Sequence, residues 1–278
     1  MKVLPFIFFS FFIQGFLWNT ALAFKKVTDM VLIPGGEFYM GSSVEEIMEV
    51  KKAYGKRDMY RDYPFDAESP KRKMHLNAFY IDRHEVTNGA YYEFVKATGH
   101  RQPRHWKEGK PKDDQLDHPV SYVSQLDAAA FAQWAGKRLP TAEAWEKAAR
   151  GTDGRVFPWG NAFDPFKAAT AESDIQFIFG ALCSVNAANR IETAPGDVSP
   201  FGVRDLAGNV REWTSSSPSE APSMAFIKGG SWLDLSVNAR AAHKEYVSRE
   251  GMSHIIGFRC VLDIQEGPVP SSNEKISH

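Results

Sequence analysis

A short stretch of the chain combines acidic side chains with a flexible turn: Asp205-Leu-Ala-Gly-Asn-Val-Arg-Glu-Trp213. The Gly208-Asn209 pair tolerates positive φ and therefore forms a tight turn at little steric cost. Calcium takes about six to eight oxygen ligands, drawn from carboxylates and from the carbonyls of sharply turned loops. The stretch offers the side chains of Asp205 and Glu212 and the carbonyls of Gly208 and Val210. An ordinary acidic surface turn is the competing interpretation.

Other residues that could bind metals are more scattered. His100 and His105 are five residues apart and would not share a helix face, whereas His243 and Glu245 would share one face of a strand. Isolated histidines are usually solvated or satisfied by hydrogen bonds, so neither pair by itself predicts a metal centre. The paired glycines of Lys228-Gly-Gly-Ser-Trp232 predict a close approach of backbone to a neighbouring group.

The beginning of the chain has the pattern of a secretory leader. Lys2 precedes an apolar, phenylalanine-rich run from Val3 to Trp18, and Ala21-Leu-Ala23 forms a small-x-small cleavage site. We therefore predict a signal peptide over residues 1–23, cleaved before Phe24, and a periplasmic or secreted protein. The run is shorter than the roughly 20 residues that span a bilayer, so a membrane attachment is expected only if the leader stays uncleaved.

Charge and cysteine content narrow the functional classes further. The formal net charge is -1 and opposite charges are interspersed, a balance that predicts no nucleic-acid partner. The chain has two cysteines, Cys183 and Cys260, and an even count in an exported protein predicts one disulfide bond between them. Two buried free thiols are the alternative.

The pattern of caps and apolar positions predicts a mixed fold. Helices are expected after Thr87, Ser124 and Thr141, ending near Gly99, Gly136 and Gly151, with Leu126, Ala130 and Trp134 forming the buried stripe of the second. Val31 to Gly41 is predicted to be a hairpin that turns at Gly35-Gly36, and Lys51 to Lys73 a long exposed loop. We predict a single loop-rich α+β domain over residues 24–266, followed by a disordered tail at 267–278.

A collinear series of blocks resembles the formylglycine-generating enzyme family, also called sulfatase-modifying factor. The blocks include Val31 to Gly41, Glu85-Val-Thr-Asn88, Gly136-Lys-Arg-Leu-Pro-Thr141, Phe157-Pro-Trp-Gly-Asn161, Asp205 to Trp213, Gly229-Gly-Ser-Trp232 and Gly257-Phe-Arg-Cys260. The resemblance implies a variant of the C-type lectin fold with sparse regular structure. It also implies a structural calcium ion at Asp205, Gly208, Val210 and Glu212, and so favours calcium over the ordinary turn.

The resemblance fails at the residues that carry the family's oxidase chemistry. Those members hold copper through two cysteines after the Gly-Gly-Ser block, and thiolates are the ligands that select Cu(I). Here the first position is Asp234, and the region of the second, residues 237–239, contains no sulfur. Arg211 replaces an aromatic residue of the same pocket. The family partner of Cys260 falls near Ala132, so a bridge in this chain would use Cys183.

The sequence leaves several functions open. One is an exported maturation or tailoring oxidoreductase that acts on a partner protein, a peptide or a secondary metabolite. It would use a pocket near Arg211, Ser231 and Asp234, with Asp234 as a base and Arg211 as an anion-binding group. Another is a non-catalytic binding or assembly module, since a fold does not fix a function. Formylglycine generation on sulfatase cysteines is disfavoured because the copper cysteines are absent.

Overall fold

The strands of the domain form three small sheets. A computed structural model describes residues 29–55, 65–172 and 194–264. The first sheet has the order β1-β4-β9 (Met30–Ile33, Phe79–Asp82 and Val261–Asp263). The second pairs β2 (Gly36–Met40) with β3 (Arg72–Leu76), and the third has the order β7-β6-β5-β8 (Lys244–Ser248, Met224–Lys228, Arg211–Trp213 and Ile256–Gly257). Helices and irregular segments cover the sheets, which agrees with the predicted loop-rich α+β domain.

The helices begin where side-chain caps predict. The order is α1 (Val44–Tyr54), α2 (Asn88–Thr98), α3 (Gln125–Trp134) and α4 (Ala142–Arg150), with short 3-10 turns at Phe65–Glu68 and Asp113–Gln115. Thr87, Ser124 and Thr141 each accept a hydrogen bond from a first-turn backbone N–H, as a capping side chain should. Gly99 ends α2 in the left-handed conformation, so the predicted ends of these helices follow from local chemistry.

Two predictions for the first third of the chain are wrong. The strands on either side of Gly35 do not pair with each other: β1 pairs with β4 and β2 pairs with β3, both antiparallel. The predicted loop between Lys51 and Lys73 contains the end of α1, a 3-10 turn and the start of β3. Ser43 supplies a full capping box for α1 together with Glu46, a local signal that outweighs the high charge of this helix.

The core is divided among several clusters of apolar side chains. In the largest, Tyr91 of α2 stacks on Phe131 of α3 at 5.8 Å and meets Phe258 edge-on at 6.3 Å. The predicted buried stripe of α3 is wrong, because Leu126 and Trp134 are 46% and 45% exposed. The helix instead buries Ala128, Phe131 and Ala132, a face rotated away from the predicted one.

The described residues contain no helix that is long and apolar enough to cross a membrane. The predicted leader, the predicted tail and Cys183 lie outside the described residues.

Candidate functional site

The acidic stretch folds as a tight, buried loop that enters β5. Asp205 and Asn209 adopt positive φ values of 56° and 67°, which aspartate and asparagine tolerate better than most residues. The loop is confined on two sides: a Cβ at Gly208 would overlap the carbonyl oxygen of Ala169, and one at Gly230 would lie 2.6 Å from that of Ala207. The two glycine-containing blocks therefore pack against each other, as their sequences predict.

Glu212 is fully buried on β5 and forms an ion pair with Arg259. Its two carboxylate oxygens each accept a hydrogen bond at 2.7 Å from the guanidinium, and Trp145 Nε1 donates to Oε2 at 2.8 Å. Burial raises the pKa of Glu212, and the charge and hydrogen bonds of Arg259 oppose that rise. Arg259 also donates to the carbonyls of Arg204 and Asp205, so this ion pair fastens the acidic loop to the core.

Three buried oxygen atoms beside this ion pair accept no hydrogen bond: Glu85 Oε2, Asp197 Oδ1 and Asn209 Oδ1. Burial, followed by the charge of Asp205, raises the pKa of Asp197 to about 8. The same two causes raise the pKa of Glu85 well above its usual range. Each of these atoms is a hard oxygen of the kind that calcium binds, although Glu85 Oε2 also lies 4.0 Å from Arg259 Nη2.

The residues therefore suit calcium by composition, with one change from the predicted ligand set. The charge of Asp205 acts on both Asp197 and Glu85, whereas Glu212 is already engaged by Arg259 and Trp145. Among residues 29–55, 65–172 and 194–264, no three acidic, histidine or cysteine side chains are arranged to hold a metal ion. Calcium here would depend on main-chain carbonyls, such as those of Gly208 and Val210, as well as on carboxylates.

The predicted pocket residues Arg211, Ser231 and Asp234 lie together, but they satisfy one another. Arg211 donates two hydrogen bonds to the Asp234 carboxylate, at 2.7 and 2.6 Å. Ser231 donates to the same carboxylate from its backbone N–H at 2.8 Å and from its hydroxyl at 2.6 Å. In this arrangement the hydrogen bonds that the Asp234 carboxylate accepts all come from Arg211 and Ser231, and its role as a general base stays a prediction.

Arg211 extends this ion pair to a second acidic group. Its Nη1 donates to Glu245 Oε2 at 2.6 Å, and Glu245 Oε1 lies 3.4 Å from His243 Nε2. Burial would raise the pKa of Glu245, but hydrogen bonds from His243 and Arg211 and their charges lower it to about 2. We call this set of four, Arg211, Asp234, Glu245 and His243, the Arg211 network. The two candidate ligands His243 and Glu245 thus contact each other within it.

The remaining candidate residues lie elsewhere. His100 Nε2 lies 2.8 Å from Asp127 Oδ1 at the start of α3, while the ring of His105 packs against Tyr122 at a centroid distance of 4.9 Å. Cys260 is a buried free thiol among the described residues, and burial raises its pKa well above the usual range. Because Cys183 is outside the described residues, the disulfide bond stays a prediction.

Sequence reasoning missed Glu85, Asp197 and Arg259 as parts of this site. Arg259 follows Glu212 by 47 positions and Glu85 precedes Asn209 by 124, so no local spacing connects them. Arg259 does stand inside the Gly-Phe-Arg-Cys block, which is the one signal that could have identified it.

Comparison with known proteins assigns the family. A family model described as the sulfatase-modifying factor enzyme 1-like domain matches residues 19–264. This chain belongs to the sulfatase-modifying factor family. It is 32% identical to the formylglycine-generating enzyme of Streptomyces coelicolor, over 86% of this chain and 90% of that protein. It is 28% identical to the inactive C-alpha-formylglycine-generating enzyme 2 of Bos taurus, over 84% of this chain and 88% of that protein.

Two further similar proteins show how far the comparison reaches. The uncharacterized protein YfmG of Bacillus subtilis is 31% identical over 91% of this chain, which spans 58% of the length of YfmG. The solved structure of PvdO from Pseudomonas aeruginosa superposes with a TM-score of 0.64 at 24% identity, covering 84% of this chain and 94% of PvdO. At that identity the likeness shows the fold, which is the predicted C-type lectin-like variant of the family.

Proposed function

We propose that this chain is an exported, copper-independent member of the family that binds a partner rather than oxidising it. One observation carries the proposal. Asp234, at the position of the family's first copper cysteine, is held by Arg211 and Ser231 in a buried hydrogen-bonded ion pair. A hard, neutralised carboxylate does not replace the soft thiolate that selects Cu(I). This supports the binding module over a tailoring oxidoreductase and over formylglycine generation.

The test compares purified mature protein with the Streptomyces coelicolor enzyme as the positive control. Both are loaded with Cu(I) and given a cysteine-containing sulfatase peptide, and bound copper and oxygen consumption are measured. We expect oxygen uptake from the control and none from this chain. Stoichiometric copper binding with peptide-dependent oxygen uptake by this chain would contradict the proposal.

A cavity favours metabolite tailoring as a second candidate function. It has a volume of about 400 Å³, and its lining includes Tyr54, Phe157, Phe163, Ser236 and Arg240. The Tyr54 hydroxyl and Ser236 Oγ lie 2.5 Å apart at this cavity. A phenol at a concave site can act in proton transfer. The test is conversion of exported secondary metabolites by wild type and Tyr54→Phe: turnover that Tyr54→Phe abolishes would favour tailoring, and no turnover would leave the binding module.

We also propose calcium as a structural cofactor and export as the route to its site of action. Asp205 and the carbonyls of Gly208 and Val210 would hold the ion, with Glu212 positioning the loop through Arg259. The buried oxygens of Glu85, Asp197 and Asn209 that accept no hydrogen bond support this cofactor. The leader pattern supports export, and mass measurement of the N-terminus of periplasmic protein, expected at Phe24, tests it.

A further inference from the structure

The cavity beside α1 has the size of a site for a small molecule. Its volume is about 400 Å³, whereas a dry engineered cavity of about 150 Å³ already holds benzene. Small-molecule sites in proteins are concave, mainly apolar and about 300–1,000 Å³ in volume. The cavity therefore has room for a molecule of two fused rings. Neither Arg211 nor Asp234 is among the residues that line it, so it is separate from the Arg211 network.

One face of α1 forms a wall of this cavity. The lining residues of the helix follow one another at intervals of three and four positions, so they lie on the same side of it. The capping box at Ser43 and the buried side chain of Ile47 fix the helix to the rest of the domain. The wall is thus a regular element with a fixed position. Its residues are Glu46, Glu49, Val50, Ala53 and Tyr54.

The two arginines of the lining are already neutralised. Arg150 donates to the Glu146 carboxylate and to three backbone carbonyls. Arg240 donates to both carboxylate oxygens of Glu68, at 2.8 and 2.5 Å, and to one backbone carbonyl. A charged ligand that left water would need a counterion of its own to offset its desolvation. The arginines do not offer one, which favours an uncharged ligand.

The two acidic residues of the lining do not call for a cation either. Glu46 accepts hydrogen bonds from Lys71 Nζ at 2.6 Å and from the Ser43 backbone N–H at 2.7 Å. The Glu49 side chain is 76% exposed, so its charge is solvated at the edge of the cavity. Neither carboxylate is a buried charge that a ligand would have to neutralise.

Aromatic rings form the wall opposite α1. The rings of Phe157 and Phe163 lie 5.4 Å apart, and both residues line the cavity. Trp159 stacks on Phe157 at 5.4 Å with an interplanar angle of 7° and so supports that ring from outside the lining. Aromatic pairs gain about 0.5–1.5 kcal/mol beyond the area that they bury. This wall therefore favours a flat aromatic ring over a flexible alkyl chain of similar size.

Two hydroxyl groups give the cavity a neutral hydrogen-bonding point. The Tyr54 hydroxyl, on α1, lies 2.5 Å from Ser236 Oγ, and both residues line the cavity. A hydroxyl group both donates and accepts, so a hydroxyl on a ligand can extend this pair into a chain of hydrogen bonds. The polar end of an otherwise apolar ligand would therefore lie at Tyr54 and Ser236.

We propose that this cavity binds an uncharged, bicyclic aromatic molecule that carries one hydroxyl group. The inference rests on the second candidate function, metabolite tailoring, for which it names the class of substrate. The rings of the ligand would pack between α1 and the pair Phe157 and Phe163, and its hydroxyl would hydrogen-bond to Tyr54 and Ser236.

The experiment measures binding of 2-naphthol to the mature protein by calorimetry at pH 7, where a phenol is uncharged. Three compounds serve as comparisons. Naphthalene-2-sulfonate and 2-naphthylmethylammonium carry the same rings with a negative or a positive charge, and 1-decanol carries its hydroxyl on a flexible chain. We expect 2-naphthol to bind at least tenfold more tightly than each of them.

Variants of α1 test the position of the ligand. Tyr54→Phe should weaken binding of 2-naphthol about fivefold through the lost hydrogen bond, whereas the exposed Tyr246→Phe should leave it unchanged. Ala53→Trp places a bulky ring at the cavity and should weaken binding at least tenfold. Its matched control is Met48→Trp, on the exposed side of the same helix, which should bind as wild type does. Melting temperatures check that each variant is folded.

Any of four results would overturn the inference: no binding of 2-naphthol by wild type, equal affinity for a charged analogue, equal affinity for 1-decanol, or equal affinities of Ala53→Trp and Met48→Trp. Binding of 2-naphthol without conversion of any exported metabolite would contradict the tailoring function and support the inference. The two failures are therefore distinguishable.

Discussion

At the scale of single residues, Arg211 and Asp234 set the chemistry of the pocket together. Each would be unfavourable alone, because a buried charge without a partner carries a desolvation cost of several kcal/mol. As a pair they form short hydrogen bonds at 2.6 and 2.7 Å, and Arg211 also neutralises Glu245. The pocket around Arg211 is thus a self-satisfied polar network.

This pairing predicts the effect of removing one partner. Arg211→Met should destabilise the protein by about 3–5 kcal/mol, since it leaves the buried carboxylates of Asp234 and Glu245 without their counterion. Unfolding in urea measures the loss, and Arg211→Met/Asp234→Leu should recover part of it. The control Lys51→Met removes an exposed ion pair with Asp66 and should cost below about 1 kcal/mol. Equal losses for the two single variants would contradict the structural role of the network.

Cys260 carries a second prediction at this scale. Its sulfur is buried, and burial raises the pKa of the thiol well above the usual range, so reduced Cys260 is unreactive in the folded protein. If Cys183 pairs with it after export, periplasmic protein denatured without reductant should expose no free thiol to a thiol-specific reagent. The same protein denatured after reduction, as the control, should expose both. Two thiols without reduction would show that the disulfide prediction is wrong.

At the scale of elements, the capping box at the start of α3 makes the stability of the fold depend on pH in the acid range. Ser124 and Asp127 cap the helix reciprocally, and Asp127 also accepts hydrogen bonds from Arg101. Burial would raise the pKa of Asp127, but hydrogen bonds from Arg101, Ser124 and His100 lower it to about 2. Because the folded pKa lies below the unfolded value near 3.9, this stabilisation is complete above about pH 4 and is lost as the pH falls towards 2.

We therefore expect Asp127→Asn to lower stability at pH 7 by about 1–2 kcal/mol and to flatten the stability profile between pH 4 and 2. Urea unfolding across that range is the measurement. Asp66→Asn is the control, because the Asp66 side chain is 77% exposed. A variant profile as steep as that of wild type would mean that other carboxylates cause the acid sensitivity.

Helix ends were more predictable than strand partners, for a physical reason. A cap such as Thr87 acts through a backbone N–H three residues away, so the information is local. The pairing of β1 with β4 joins residues about 50 positions apart, and no local pattern encodes that choice over a Gly35-Gly36 hairpin. The face of α3 was wrong for a related reason: the neighbours that cover Phe131, including Tyr91 and Phe258, come from distant segments.

At the scale of the whole molecule, the proposed calcium ion should couple the acidic loop to global stability. At a concentration about 100 times its Kd, calcium would add about 2.7 kcal/mol, or roughly 5–10 °C in melting temperature for a chain of this size. Asp205→Asn, which tolerates the same positive φ, should reduce that shift, whereas the exposed Asp66→Asn should not. Differential scanning calorimetry with calcium or with EDTA measures the melting-temperature shift of wild type and of each variant. Equal shifts in all three proteins would remove Asp205 from the site.

Part of the candidate site was predictable and part was not. Family blocks brought Asp205, Glu212 and Asp234 to attention, and the structure places them in and beside one loop. The Arg259 partner of Glu212 and the Glu85 partner of Asn209 arise only when separate sheets and loops pack together.

The central position of β4 in the first sheet has a consequence for the order of folding. One edge of β4 pairs with β1, some 50 residues upstream, but its other edge pairs with β9, which is synthesised about 180 residues later. Arg259, the counterion of Glu212, arrives in the same late segment. Until then β4 lacks its β9 neighbour and the buried carboxylate of Glu212 lacks Arg259, so a nascent chain cannot complete the domain. The first sheet and the ion pair of Glu212 can therefore form only after nearly all of the domain has been made.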